Sequence, residues 1–465
     1  MKSMKKEPMQ TSTKGVKTLL GDPKGAIIRL SIPMIIAMSV QTLYNLADAF
    51  WVSGLGADAL AAVGFFFPFF FLIMAVSNGL GIGGGAAVSR YIGSHDKKGA
   101  DSAATHTIIL MLIIAAVLTF PLYSFSGPLF SMLGAGQTLP LAVDYAQIIF
   151  ACMIFFFFSN VANALLRAEG DAKKAMIAMI FGALLNIFLD PIFIYAFGMG
   201  VSGAAWATIV SVAISSVMLF HWFFLHDHLY LSVKLRGFRF KRHVIKDIFR
   251  VGFPATVQHA IMSISILVLN LIIVMVGGTD GVAILTTGWR VSMFAILPLF
   301  GIATAVVSVT GAAYGQKDFK KLNSAFMYAV KIGLIIEFFL AFLVFFLAPA
   351  ITAAFTQAEN TARIAEGMIV FMQIIALYFP FTAFGMISSS MFQGTGKGMS
   401  ALIVTMIRTV FFTIPFAWIF AFNLGWGIVG VWYGLVLSNI AGAIIAFMWA
   451  KKCINNFGKE RKVCL

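Results

Sequence analysis

The sequence predicts an all-α integral membrane protein of about twelve transmembrane helices, set as two pseudo-symmetric six-helix lobes around a central cleft. Three observations predict it: the apolar composition, the placement of the basic residues and an internal repeat. Of 465 residues, 60% are hydrophobic and only 11% charged, and the mean hydropathy is +0.94. A soluble domain with so little polar surface could not cover itself in water.

A helix needs about 20 apolar residues to cross a bilayer. Such runs occupy 27–52, 60–88, 103–123, 145–166, 175–197 and 204–225, and then 248–276, 282–313, 325–347, 364–392, 401–422 and 428–449. We number them spans 1 to 12. Their unbroken apolarity lacks the alternation of a lipid-facing β-barrel strand. The segment ahead of Ile27 is polar and basic, so span 1 is expected to be its own insertion signal rather than a removable leader.

The net charge of +15 comes from 33 Lys and Arg against 18 Asp and Glu. The cations alternate by loop. They precede span 1, fill the connections after spans 2, 4, 6, 8 and 10, and close the chain, whereas 53–58, 124–144, 198–203, 277–281, 349–361 and 423–427 contain none. That is the positive-inside pattern at every turn, so both termini are expected in the cytoplasm of a cell whose plasma (inner) membrane holds the protein. A topogenic basic face leaves no reason to invoke nucleic acid. Cys152 falls inside span 4, while Cys453 and Cys464 fall on the reducing side, so no disulfide is expected, and Cys464 does not fit a prenylation box.

The second half repeats the first. Arg29 and Pro33 sit opposite Arg250 and Pro254, Gly93 and Asp96 opposite Gly315 and Asp318, Gly170 and Lys173 opposite Gly394 and Lys397, and Gly203 and Trp206 opposite Gly430 and Tyr433. Each half holds six spans and starts on the same side, so the repeats are parallel. The expected organisation is a tail (1–26), an N-lobe (27–225), a linker (226–247), a C-lobe (248–450) and a second tail (451–465). Two homologous lobes around a cleft suit alternating access, and so a transporter rather than an enzyme. No nucleophile with a base at usable spacing is encoded. GLGIGGG at 79–85 lies in an apolar helix without a preceding strand, which points to close helix packing, and GTGKGMS from Gly394 lacks the Walker spacing.

An acid inside a span costs about 2.5–3.5 kcal/mol on insertion scales, so each one needs a reason. Asp48 lies near the outer end of span 1, with Tyr44 and Asn45 one turn earlier, and Asp190 lies in span 5 with Asn186 one turn earlier. One account is structural, with the acids capping helix ends or bonding neighbouring hydroxyls. The other is a cation site, in which facing carboxylates take up a proton or, with amide and hydroxyl oxygens, hold Na⁺. Glu337, Arg290 and Arg408 are expected to pair or snorkel, and His259 to be a hydrogen-bonded core histidine. His226 and His228 around Asp227 specify no metal site.

Pro33 to Asp48, RYIGSHDKKGA after span 2, LRAEGDAKKA after span 4, the Asn186 and Asp190 pair followed by GVSGAAWAT, and their echoes in the second half resemble the multidrug and toxic compound extrusion family. The resemblance covers about Asp22 to Lys452 and is to the DinF-like branch. It implies a cation-coupled antiporter, driven by H⁺ or Na⁺ and without another cofactor, that exports amphipathic and often cationic compounds as a monomer. It implies Asp48 and Asp190 as coupling carboxylates, completed by Asn186, Asn163 and Thr208, with Na⁺, if used, at Asp48, Asn186, Asp190 and Thr208. Gln41 and Tyr44 would line the substrate cavity, and Pro33 would be the bending point of span 1. The NorM branch, with acids in spans 7, 8 and 10, fits less well, because Glu366 stands at a helix end. A lipid-linked oligosaccharide flippase of the same superfamily is the alternative, to which Arg290 and Arg408 are relevant.

Overall fold

The computed structural model describes residues 13–225, 229–356 and 362–463. His226, Asp227, His228 and Cys464 lie outside them, as do the first twelve residues. Among the described residues every regular element is helical. Eight single helices supply spans 1, 2, 3, 5, 6, 9, 11 and 12: Pro23–Ser53, Ala57–Gly93, Lys97–Ser124, Ala172–Ala196, Gly200–Phe224, Phe319–Phe355, Gly398–Asn423 and Gly427–Phe457. Span 4 is two helices, Gly136–Ala151 and Met153–Ala168, bent by 51°, and span 10 is Ala365–Ala376 with Tyr378–Gly394, bent by 47°. Cys152 is therefore the hinge residue of span 4 and not part of a straight helix.

Spans 7 and 8 share one hydrogen-bonded run of 74 residues, Arg242–Gly315. Straight, it would reach about 110 Å, several times the hydrocarbon thickness of a bilayer. It folds back at Gly278, whose φ of 58° and ψ of −153° lie outside the helical region and open only to glycine at low cost. A Cβ on Gly281 would sit 2.9 Å from Ile273 Cγ2, which only the folded-back path allows. Division there makes twelve spans among the described residues. The expected loop at 349–361 is shorter than anticipated, since span 9 continues helically through Pro349 to Phe355.

The repeat is visible in the backbone. His95 and Lys317 share a left-handed turn (φ 58° and 55°), followed by Asp96 and Asp318 accepting from Gly99 N and Lys321 N at 2.8 and 3.0 Å. Each cap satisfies a donor the first helical turn cannot. In both halves the fifth span ends in a π-helical turn, Ile192–Ala196 and Ile419–Asn423.

The halves meet closely at the end that carries the basic loops. Cβ atoms on Gly79 and Gly83 would collide with Thr256 and Ile248 of span 7, and one on Gly93 with the Ala312 carbonyl of span 8. GLGIGGG is therefore a packing surface, as small residues in membrane helices commonly are. Arg90 closes the same seam, pairing with Asp247 at 2.8 Å and donating to Gly394 O at 3.1 Å. The connecting segment is docked: Leu231 N donates to Glu169 Oε2 (3.0 Å), Ser232 N to Asp101 Oδ1 (2.8 Å) and Lys241 N to His106 Nε2 (2.9 Å). Helix formation begins at Arg242, inside the expected linker.

Candidate coupling site

Span 1 packs along span 5, and span 5 along span 6, which brings residues far apart in sequence to one place in the first half, toward the end away from the basic loops. Span 5 buries Asn186 and Asp190, one turn apart, at 1% and 0% exposure. Pro191 follows, and the π-helical turn after it widens the helix where its backbone donor is missing. Asp48 of span 1 lies within electrostatic reach of Asp190. Tyr44 lies within electrostatic reach of both carboxylates, on the side of Thr208 of span 6. Asn186 Nδ2 donates to Thr208 Oγ1 at 3.3 Å, and Thr208 Oγ1 donates to Ala204 O at 2.9 Å.

What remains is a set of acceptors without donors. Asp48 Oδ1, Asn186 Oδ1 and both carboxylate oxygens of Asp190 are buried and unpartnered. Among the described residues no ion pair involves either acid. Buried oxygens of this kind are unfavourable unless something electropositive reaches them. A proton fits, and so does a hard, oxygen-preferring cation such as Na⁺. Among the described residues no three His, Cys, Asp or Glu side chains cluster as a metal site, so any ion here is held by carboxylate, amide and hydroxyl oxygens together.

Of the residues singled out from sequence, Asp48, Asp190, Asn186, Thr208 and Tyr44 come together. Asn163 is buried, but its Nδ2 bonds Ser159 O at 2.8 Å and no hydrogen bond links it to the acids. Gln41 is half-buried with no bond to the cluster. Asn45 is exposed, whereas Tyr44 alone of that pair joins the site. Pro33 sits in a helix that runs through it unbroken. Tyr145 was missed. It is buried within electrostatic reach of Tyr44, Asp48 and Asp190, on the half of span 4 that precedes the bend.

The intramembrane charges of the second half depart from expectation. Glu337 is fully buried, and neither carboxylate oxygen has a partner. It pairs with neither arginine, because it lies on span 9 away from the cavity they share. Arg290 and Arg408 line a cavity of about 430 Å³ within the second half. Arg408 also borders a cavity of about 240 Å³ between the halves, whose wall includes Arg167, Gln393 and His259. His259 is therefore a cavity-wall residue, not a core one.

Twelve membrane-crossing helices in two repeated halves, with a buried acid pair and internal cavities, define a polytopic membrane transporter. The MatE family model matches residues 33–192 and 254–419, and the chain belongs to that family of multidrug efflux transporters. Its members are transporters, not enzymes, and need no cofactor. The chain is 26% identical over 427 residues to "Multidrug export protein MepA" of Staphylococcus aureus (strain MRSA252), covering 91% of this chain and 92% of the relative. A solved structure described as "Outward-facing conformation of a multidrug resistance MATE family transporter of the MOP superfamily" shares 45% identity and a TM-score of 0.94, covering 97% and 100% of the two chains. Another, with the same identity, TM-score and coverage, is described as "Reverse polarity of binding pocket suggests different function of a MOP superfamily transporter from Pyrococcus furiosus Vc1".

Proposed function

We propose that the protein is a cation-coupled antiporter that exports amphipathic, often cationic compounds, with H⁺ or Na⁺ entering at Asp48 and Asp190. The observation that carries this reading is the set of buried, unpartnered oxygens on Asp48, Asp190 and Asn186, with Asn186 tied to Thr208 and Tyr44 and Tyr145 close by. Occupation of the site by a cation satisfies these acceptors and favours one packing of spans 1, 5 and 6; its release favours another. Pro33, which deprives span 1 of one backbone hydrogen bond, is the place where that helix would bend. Asn163 and Gln41 would serve the cavity beside the acids. The two halves then act as N-lobe (27–225) and C-lobe (248–450) of a monomer with both termini cytoplasmic, and the glycine seam with Arg90 is the cytoplasmic gate, closed here.

The test is efflux of a fluorescent cationic dye from proteoliposomes under an imposed pH gradient and then an Na⁺ gradient. Acceleration by one gradient, lost in Asp48→Asn and Asp190→Asn, is expected. Unchanged coupled efflux in both variants would overturn the reading. A second reading, a lipid-linked oligosaccharide flippase, is supported by the basic wall formed by Arg290 and Arg408 and by the reversed pocket polarity reported for the Pyrococcus furiosus relative. No gradient response with any dye would favour it.

A further inference from the structure

The internal repeat allows the acid site to be compared with its own counterpart. With Pro33 laid on Pro254, Tyr44 and Asp48 fall on Ser265 and Leu269. With Gly203 laid on Gly430, Asn186, Asp190 and Thr208 fall on Thr413, Ala417 and Leu435. Ser265, Leu269, Thr413 and Leu435 all line the cavity of about 430 Å³ in the second half. That cavity is thus the pseudo-symmetric equivalent of the coupling site, with both acids replaced by apolar residues. No Asp or Glu lines it; Arg290 and Arg408 do.

The arginines are seated, not stray. Arg408 stands near the start of the π-helical turn Ile407–Thr413, a distortion that often marks functional positions. Its side chain runs between two glycines: a Cβ on Gly442 would lie 2.6 Å from Arg408 Cβ, and one on Gly385 3.3 Å from Nη1. Arg290 is exposed on the cavity wall. Neither arginine forms an ion pair among the described residues. Beside them, Ser265 and Thr409 have buried hydroxyl oxygens without partners. Trp289 and Tyr378, edge to face at 5.9 Å, form an aromatic wall. Two unpaired guanidinium groups, free hydroxyls and an aromatic wall match an oxyanion attached to an apolar body.

We propose that this second-half cavity binds amphiphiles bearing a carboxylate or phosphate, making the two lobes a pair of sites of opposite charge. The proposal does not depend on coupling at Asp48 and Asp190. The probe is 11-(dansylamino)undecanoic acid, compared with its methyl ester, titrated by fluorescence into the full chain in phosphatidylcholine nanodiscs. The acid is expected to bind roughly tenfold more tightly than the ester, with the preference lost in the R290Q/R408Q double variant. Equal binding of acid and ester by the wild type, or a preference that survives the double substitution, would overturn the proposal. Arg290→Gln alone, on the exposed wall, gives the same reading by a partial loss if the double variant does not fold. Phosphatidylglycerol added to the nanodiscs distinguishes the source: competition with the probe assigns the site to a lipid headgroup, and its absence to a soluble amphiphile. Because the readout is binding without a gradient, its failure leaves the proteoliposome test untouched.

Discussion

Asn186 donates its amide N–H to Thr208 Oγ1 at 3.3 Å, tying span 5 to span 6 one turn from Asp190. Thr208 donates its own proton to Ala204 O, so this hydroxyl has none left for the carboxylates. Thr208→Val keeps the volume and strands a buried N–H, at about 1–3 kcal/mol. The variant is expected to melt a few degrees lower and to show severalfold slower coupled efflux, while Thr208→Ser stays near wild type. Valine and serine variants that behave alike in both assays would show that the bond is incidental.

Gly83 lets span 2 pass close to span 7, where a side chain would meet the Ile248 carbonyl and the Gly252 backbone. Gly83→Val therefore destabilises the form closed at the basic-loop end more than the opened one. Thr304→Cys on the inter-half cavity wall, in a background lacking Cys152, Cys453 and Cys464, reports on access. Labelling by a membrane-impermeant maleimide from the basic-loop side should rise severalfold in the valine variant. Unchanged labelling would mean that the glycine seam is not the gate.

The parts of this fold that local forces write were legible from sequence. Unbroken apolarity marked the spans, and the Asp96 and Asp318 caps lie in loops whose residues match between halves. Asp48, Asp190 and Asn186 were legible too, because polar side chains in apolar spans are conspicuous, whereas Thr208 came only through the family resemblance. Tyr145 was not, since an aromatic residue at the start of a span has no distinguishing pattern. Nor was the isolation of Glu337 from Arg290 and Arg408: charge pairing across helices depends on rotation about each axis, which hydropathy does not fix when the whole circumference is apolar. The turn between spans 7 and 8 was legible to within five residues, at 277–281, and the structure puts the break at Gly278.

Arg90 and Asp247 join the halves at 2.8 Å, with side chains 11% and 25% exposed. On the proposed gating the pair is lost when the seam opens, so Asp247→Ala should favour the open form by about 1 kcal/mol, a roughly fivefold shift. Spin labels at Lys98→Cys and Lys320→Cys, exposed in the first turns of spans 3 and 9, should show a larger long-distance population. Combination with Gly83→Val should give less than the sum, because both act on one seam. Identical distance distributions in Asp247→Ala and its parent would remove the ion pair from the gate.

Glu169 ends span 4 outside the membrane-spanning helices, buried, and accepts Leu231 N at 3.0 Å. Burial pushes its carboxyl up to about 8, only partly offset by that backbone donor. The folded state therefore holds this proton more tightly than the unfolded state does, where the value is near 4.5. Stability is full below the unfolded value and falls as pH rises through the interval up to about 8. Glu169→Gln keeps an acceptor for Leu231 and has nothing to titrate. It should melt with the wild type at acidic pH and about 2 °C above it at high pH, as the docked segment no longer faces a buried charge. Scanning fluorimetry across that range decides the point: parallel melting curves for the two proteins at every pH would show that Glu169 does not titrate with folding.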